Sequence, residues 1–367
     1  MKFSVGQHAL LTALSVVGKG MSTTSTIPLL SGIYIKADNG ALEFQTNNLT
    51  ISIRHKIPAN VEESGEVVVS GKILNAIVKS LPDAAVVFEG SDRILTITCL
   101  SSLFRLNTLD AKDWSEFPAL EPSSSCELPS AVLSEMIDKV YKVTSKENSR
   151  PILQGVLLTS AENTLRLVAT DSYRLAVCET YSAAEADAED FTIIIPGTVF
   201  HDVLTMPSLT EKILIGTTNN QIVFSFGDTT YISRKTEGSY PDYRQLLPKT
   251  YATALTADPE QFLGALRRVA TIAATMPIMR LDIDADAQTM KLSITTRNQG
   301  ESVEYIPVQV EGGSMSLSLN HHYVADCLAS APDREKIIIE LQSPTLPTIF
   351  KSSGKINYLY LVMPSLL

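Results

Sequence analysis

Leu10-Leu11-Thr12-Ala13-Leu14-Ser15-Val16-Val17 is the stretch on which the fold turns. Its apolar pairs are each followed by an apolar residue one turn later, the pattern of a short amphipathic helix. The pattern returns at Val132-Leu133-Ser134-Glu135-Met136-Ile137 and at Phe262-Leu263-Gly264-Ala265-Leu266-Arg267-Arg268-Val269. A strand-like segment precedes each copy (Lys2 to Val5, Ser125 to Leu128, Thr253 to Thr256) and ends near a Ser, Gly or Asp-Pro that can open a helix. Alternating runs that read as a hairpin follow each copy, over Gly32 to Ile53, Gly155 to Val177 and Met279 to Val308.

A strand leading into a second helix comes next in each third: Val67 to Ser70 into Ile73 to Leu81, Ile193 to Pro196 into Val199 to Met206, and Met315 to Leu319 into Tyr323 to Leu328. Each third closes with paired strands, expected as Val86 to Phe88 with Ile94 to Thr98, Ile213 to Ile215 with Ile222 to Phe226, and Ile337 to Leu341 with Tyr358 to Val362. Equivalent positions such as Leu11, Leu133 and Leu263, or Ser70, Pro196 and Asn320, lie between 122 and 130 residues apart. So long a period means repeated domains rather than a solenoid.

The expected fold class is therefore α+β, with three repeated domains of two helices packed on antiparallel sheets. Breaks at Phe117-Pro118 to Ser125 and at Leu247-Pro248-Lys249-Thr250 place the domains at 1–121, 122–250 and 251–367. Three unrelated small domains would not share this order of elements.

The composition, 44% hydrophobic and 19% charged, is that of a soluble globular protein without a disordered tract. A formal charge of −10 argues against gripping phosphates over a large open surface. Cys99, Cys126, Cys178 and Cys327 share no metal or redox spacing and read as reduced packing residues. The N-terminus lacks the apolar region of a signal peptide and no run of about 18 apolar residues occurs, so the expected location is the cytoplasm, away from membranes.

Chemistry is sparse. Gly65 and Gly71 are separated by five residues rather than the four of a phosphate loop, and those residues include a strand. Asp282, Asp284 and Asp286 resemble the start of a calcium loop, but Ala287 and Ser293 stand where its turn glycine and glutamate belong, so a solvated strand and turn is expected. His8, His55, His201, His321 and His322 form no ligand motif and are expected at the surface, the adjacent pair pointing to different faces. No catalytic residue, metal ligand or cofactor is expected.

Three stretches carry a resemblance that spans the chain: Val168-Ala169-Thr170-Asp171-Ser172-Tyr173-Arg174-Leu175-Ala176; Tyr240-Pro241-Asp242-Tyr243 with Leu247-Pro248; and Tyr360-Leu361-Val362-Met363-Pro364. In them the sequence resembles the bacterial sliding clamps, the β subunits of DNA polymerase III. The resemblance implies a non-enzymatic processivity factor: a head-to-tail homodimer whose six domains close a ring around double-stranded DNA without sequence specificity. Its implied partners are the clamp loader, the replicative DNA polymerase and other proteins carrying clamp-binding peptides. A ring holds DNA topologically, which resolves the charge puzzle.

The resemblance places a peptide-binding pocket at Leu153, Thr170, Ser172, Tyr173, Arg174, Leu175, Pro241, Leu246, Thr345, Pro347, Leu361, Met363 and Pro364. Taken alone, Leu153, Leu175 and Leu361 read as core. The helical stretches carry eight cations, Lys19, Lys72, Lys79, Lys139, Lys142, Lys146, Arg267 and Arg268, against five acids, a balance of +3 that leaves −13 elsewhere. These cations are the expected DNA-facing set. The resemblance puts the ring junction at Arg93, Phe104, Arg105 and Leu106 against Thr271, Ile272, Glu301 and Glu304. Departures from the family pattern are Gln245 in place of an arginine, Ser365-Leu366-Leu367 without a basic residue, and Thr23-Thr24-Ser25-Thr26 without an arginine. An enzyme using an interdomain cleft, or a peptide-binding scaffold that ignores DNA, are the alternatives.

Overall fold

The computed structural model describes residues 1–22, 24–91, 93–181, 190–273, 277–297 and 299–365. Thr23 of the early loop and Leu366 and Leu367 at the C-terminus lie outside them. By contact the chain falls into two compact units, Met1–Leu133 with Asp202–Lys235, and Ser134–His201 with Thr236–Leu367.

In the first unit, a five-stranded sheet runs β5 (Asn60–Glu63), β1 (Lys2–Gly6), β7 (Ala85–Ser91), β8 (Ile94–Cys99), β9 (Ser102–Asn107). Its eight-stranded sheet runs β10 (Ser124–Pro129), β15 (Lys212–Thr217), β16 (Gln221–Phe226), β17 (Thr229–Arg234), β4 (Ile51–Pro58), β3 (Ala41–Asn47), β2 (Gly32–Asp38), β6 (Gly65–Ser70). Helices α1 (Gln7–Val17) and α2 (Gly71–Ser80) bury Leu10, Leu14, Val17, Leu74 and Val78, and Gln7 Nε2 donates to the Val78 carbonyl at 2.8 Å.

In the second unit, a nine-stranded sheet runs β14 (Phe191–Pro196), β11 (Gly155–Ala161), β12 (Thr164–Thr170), β13 (Arg174–Tyr181), β26 (Asn357–Val362), β25 (Thr348–Ser352), β24 (Ile337–Leu341), β18 (Thr253–Ala257), β22 (Gln309–Gly312). A four-stranded sheet runs β21 (Gly300–Pro307), β20 (Thr289–Thr296), β19 (Ile278–Asp284), β23 (Met315–Asn320). Helix α5 (Pro259–Val269) has the local chemistry of a strong start: Asp258 accepts from the Glu260 and Gln261 amides, Pro259 occupies the first turn, and Arg267 and Arg268 close the last one. It packs on α6 (His321–Ser330), capped by Asn320. The remaining helices, α3 (Ser130–Val140) and α4 (Gly197–Leu204), contain the points where the division between units falls.

The six α-helices among the described residues sit where apolar periodicity predicts them. The strands are more numerous than expected. Each presumed hairpin is a three-stranded meander, β2–β4, β11–β13 and β19–β21. Ile337–Leu341 does not pair with Tyr358 to Val362; β25 lies between them, with Ile339 opposite Phe350 and Phe350 opposite Tyr360. Its five residues are mostly buried and lack the alternation that marks a half-exposed strand.

The repeat is most informative at the seams inside each sheet. β4 pairs with β17 in the first unit, placing Tyr231 opposite Ile53, and β13 pairs with β26 in the second, placing Tyr360 opposite Ala176. Both tyrosines are fully buried.

The four cysteines are free and buried, as expected of packing residues. Asp282 bonds Arg280 and the Ser316 hydroxyl, and Asp284 caps its own turn, so neither gathers a metal site. The histidine expectation needs correction: His55 and His321 are buried, and the His321 and His322 rings meet at 4.0 Å, because the first helical turn lets their side chains converge.

Burial and the neighbouring His322 push the His321 pKa down to about 4, and its Nε2 has no hydrogen-bond partner among the described residues. Because the folded value lies below the unfolded one, near 6.5, the neutral ring stabilises the fold above about pH 6.5, and that contribution is lost as pH falls toward 4. His55, lowered chiefly by burial, acts in the same direction. Thermal melts should show the midpoint falling across this window, with a shallower fall in His321→Asn; identical slopes would count against a buried neutral imidazole.

Among the described residues no helix is long and apolar enough to cross a membrane.

Candidate functional site

Thr170-Asp171-Ser172-Tyr173-Arg174 forms the turn that joins β12 to β13. Thr170 Oγ1 donates to the Arg174 carbonyl at 2.8 Å, and Asp171 Oδ1 accepts from the Tyr173 and Arg174 amides, both at 3.0 Å. Ser172 adopts a φ of 80°, and its hydroxyl accepts from Arg150 at 2.9 Å. Short polar side chains that bond the local backbone, here those of Thr170 and Asp171, are what such a turn requires.

Arg174 is the hub of the second unit. Its Nε donates to Asp171 at 2.9 Å, and its Nη1 to Asp326 at 2.6 Å and to the Tyr360 hydroxyl at 3.1 Å. Its Nη2 donates to the Lys142 carbonyl at 2.9 Å, and the guanidinium lies 4.4 Å from the Tyr323 ring centre. Burial works against the charge, but the Tyr360 phenol and the carboxylates of Asp326 and Asp171 outweigh it and hold the guanidinium pKa above its ordinary value. With the donors so engaged and the residue 9% exposed, Arg174 shapes the surface from beneath rather than projecting from it.

Above it, the Met363 amide donates to the Tyr173 carbonyl at 2.9 Å, tying the C-terminal segment to the turn. Leu153, Thr170, Leu175 and Leu361 are buried, whereas Tyr173, Leu246 and Met363 are 58%, 50% and 39% exposed. Ser172, Pro241 and Thr345 are exposed, and Pro347 and Pro364 half-buried. The result is a closed apolar floor beneath an exposed apolar rim.

The segment 240–247 straps the outer face of the nine-stranded sheet. Tyr240 donates its hydroxyl to the Val168 carbonyl at 3.3 Å, and Tyr243 is buried in a cluster with Val168, Leu175, Val177, Ile349 and Leu361. Gln245 Nε2 donates to Asp242, which also caps the Arg244 amide. Sequence reasoning missed the exposed Leu346, the strap residues Tyr240 and Tyr243 as structural members, and Asp326 as the partner of Arg174. The aromatic Tyr-Pro-Asp-Tyr stretch was a usable signal for the strap. Nothing local advertises Asp326, which is 152 residues from its partner.

The eight helix-associated cations divide. Lys19 pairs with Asp202, Lys139 is half-buried beside Glu135 and the Ser330 carbonyl, and Arg268 forms a two-pronged pair with Glu304. Arg268 and Glu304, expected on two different surfaces, therefore meet each other. Lys72, Lys79, Lys142, Lys146 and Arg267 are exposed without a carboxylate partner among the described residues.

Two sheet edges match the seams already described. β9 ends the five-stranded sheet and β21 the four-stranded one. Phe104 on β9 opposes buried Ile97, as Tyr231 opposes Phe224 and Tyr360 opposes Phe350. Ser302 on β21 opposes Ile294, as Ile53 opposes Thr46 and Ala176 opposes Ala169. Thus β9 is the counterpart of β17 and β26, and β21 of β4 and β13. Arg93 and Arg105 are exposed, Phe104, Leu106 and Ile272 half-buried, and Thr271 and Glu301 exposed.

Comparison with known proteins agrees along the whole chain. Family models for the DNA polymerase III beta subunit match in order: the N-terminal domain over residues 1–120, the central domain over 127–242 and the C-terminal domain over 244–366. The chain is 30% identical to the beta sliding clamp of Synechococcus elongatus over 371 residues, covering 99% of both chains. It is likewise 30% identical to that of Staphylococcus aureus over 375 residues, again at 99% of both. The DNA polymerase sliding clamp from Bacillus subtilis superposes with a TM-score of 0.92 at 26% identity, covering 100% of this chain and 99% of that one. The beta sliding clamp of C. crescentus gives 0.91 at 28% identity, covering 100% of each.

Proposed function

The chain belongs to the DNA polymerase III beta subunit family, the bacterial sliding clamps, which are non-catalytic processivity factors, and we propose that two copies join head to tail into a ring around duplex DNA. The three repeats at 1–121, 122–250 and 251–367 are its domains, six to the ring. It works in the cytoplasm, where the clamp loader, the replicative polymerase and other peptide-bearing proteins are its partners.

One observation carries the ring. Two of the three β4-type strands are paired with two of the three β17-type strands inside the chain, which leaves one of each type, β21 and β9, at sheet edges. Pairing β9 of one copy with β21 of the next repeats a seam the chain already makes twice. A heterologous contact of this kind forms a ring when the rotation closes. The register carries over: Leu359 opposite Val177 becomes Leu103 opposite Val303, and Leu361 opposite Leu175 becomes Arg105 opposite Glu301. Leu103 and Val303 are 52% and 38% exposed, and Arg105 and Glu301 have opposite charges. Long apolar edges need such a partner.

DNA contact falls to Lys72, Lys79, Lys142, Lys146 and Arg267, the exposed helix-associated cations without a carboxylate partner among the described residues, in an otherwise acidic chain. They give a weak, mobile attraction to phosphates and no base readout. Replacing Lys72 and Arg267 by Ala should weaken binding equally on every DNA sequence and lower the slope of log affinity against log salt by up to about 0.9 per cation removed. An unchanged slope would remove these residues from the DNA face.

Partner peptides dock on the rim of Tyr173, Leu246 and Met363, with Leu153, Leu175 and Leu361 supplying the floor once the rim side chains move. Leu246→Ala with Met363→Ala removes exposed apolar area without touching the core, and should weaken an apolar tail peptide at least tenfold while leaving the oligomer intact. Fluorescence anisotropy reads the first effect and light scattering the second; retained affinity would place the pocket elsewhere.

A further inference from the structure

On the outer face of the β13–β26 pair, Leu175 and Leu361 are followed by Val177 and Leu359, then by Glu179 and Asn357. Successive pairs on one face lie about 7 Å apart. The first pair is the floor of the peptide pocket. The second and third line a separate cleft of about 400 Å³, walled by the strap at Leu247 and Arg244 and by Arg166 and Lys351.

The charges in this cleft are unequal. Arg166 is engaged by Glu179 and Lys351 by Glu340. Arg244 is exposed, lies 5.3 Å from the Tyr243 ring centre, and has no carboxylate partner among the described residues. An apolar floor with one uncompensated guanidinium at its wall suits an apolar side chain followed by a carboxylate.

We propose that this cleft binds the residues flanking the apolar core of the same partner peptide, with an acidic side chain paired to Arg244 and an apolar one covering Val177 and Leu359. The inference rests on the peptide-pocket reading above. Its occupant follows from continuity and charge: Leu246 on the pocket rim and Arg244 on the cleft wall stand two residues apart on the strap, so a peptide leaving the pocket passes over the strap and meets Arg244. The corresponding step at the β4–β17 seam is Arg54 opposite Thr230, with Arg54 lying 4.6 Å from the Phe117 ring centre, so the apolar floor is particular to the second unit.

The test uses the full chain and labelled peptides that share the core Leu-Leu-Phe and carry Ala-Ala-Ala, Ala-Asp-Asp or Ala-Lys-Lys at one end or the other. One of the Asp peptides should bind about fivefold more tightly than its Ala counterpart, consistent with an exposed ion pair. Arg244→Ala should abolish that gain, and Arg244→Glu should transfer the preference to the Lys peptide. Equal binding of the Asp and Ala peptides, or a gain that survives Arg244→Ala, overturns the inference and leaves the pocket standing. If no peptide binds, or if Leu246→Ala with Met363→Ala leaves the Ala peptide unaffected, the pocket reading itself fails, and this inference with it.

Discussion

Leu103→Asp should make the protein a monomer at micromolar concentration. The substitution sets a carboxylate opposite Val303 and beside Glu301 in the register inferred for the β9–β21 contact. Burying an unpaired charge in an apolar contact that already holds an acid costs several kcal/mol. At about 3 kcal/mol for each of the two contacts of a ring, the dissociation constant rises about 10⁴-fold. Light scattering should then give the 39.9 kDa of one chain, where the unaltered protein gives twice that mass. A specific rescue separates the register from mere disruption. Arg105→Glu alone and Glu301→Arg alone should each weaken the dimer, and together they should restore most of it. Failure of that rescue, with both variants folded, would move the interface off this register.

Arg174→Met should be the most destabilising single change on the peptide-binding side. It leaves Asp171 Oδ2, the Tyr360 hydroxyl and the Lys142 carbonyl without the guanidinium donor in a largely buried setting. Removing one partner of such a network costs about 3 to 5 kcal/mol, and the lower figure applies because Asp326 is 40% exposed and can rehydrate. A fall in melting temperature of roughly 10 °C follows for a body of this size. Arg174→Lys keeps the charge but loses the planar fork, so it should fall between the two. A melting temperature within a degree of the unaltered protein would show that the network holds little of the fold.

These expectations also show how far the amino-acid sequence could be read. The helices beginning near Leu10, Val132 and Phe262 were legible because a stripe repeating every turn needs no long-range information. Strand β25 was not, because Thr348-Ile349-Phe350-Lys351-Ser352 is mostly buried and too short to declare a period. The bearing of Arg174 was hidden in a different way. The motif around it can be recognised, but its place as a buried hub beneath the pocket depends on Asp326 and Tyr360, which only folding brings near.

The strap was legible in principle. Trp114, Phe117, Leu120 and Pro122 recur as Tyr240, Tyr243, Leu246 and Pro248, a constant 126 residues later. Exchange of the aromatic residues disguises the repeat, yet the anchors agree in space: the Trp114 indole donates to Gln45 on β3 at 2.9 Å, and Tyr240 donates to Val168 at the equivalent place on β12. His321 misled for a related reason, since a residue at a helix start reads as solvated until packing closes over it.

The central claim is topological, and retention on DNA tests it most directly. Labelled protein is loaded onto a nicked circular plasmid with a clamp loader, passed through gel filtration at high salt, and measured again after a single restriction cut. The ring predicts that protein stays with the circle, because salt cannot release an encircling chain, and is lost once the DNA has ends. Equal retention before and after the cut, or loss from the intact circle by protein that is dimeric in solution, would contradict encirclement.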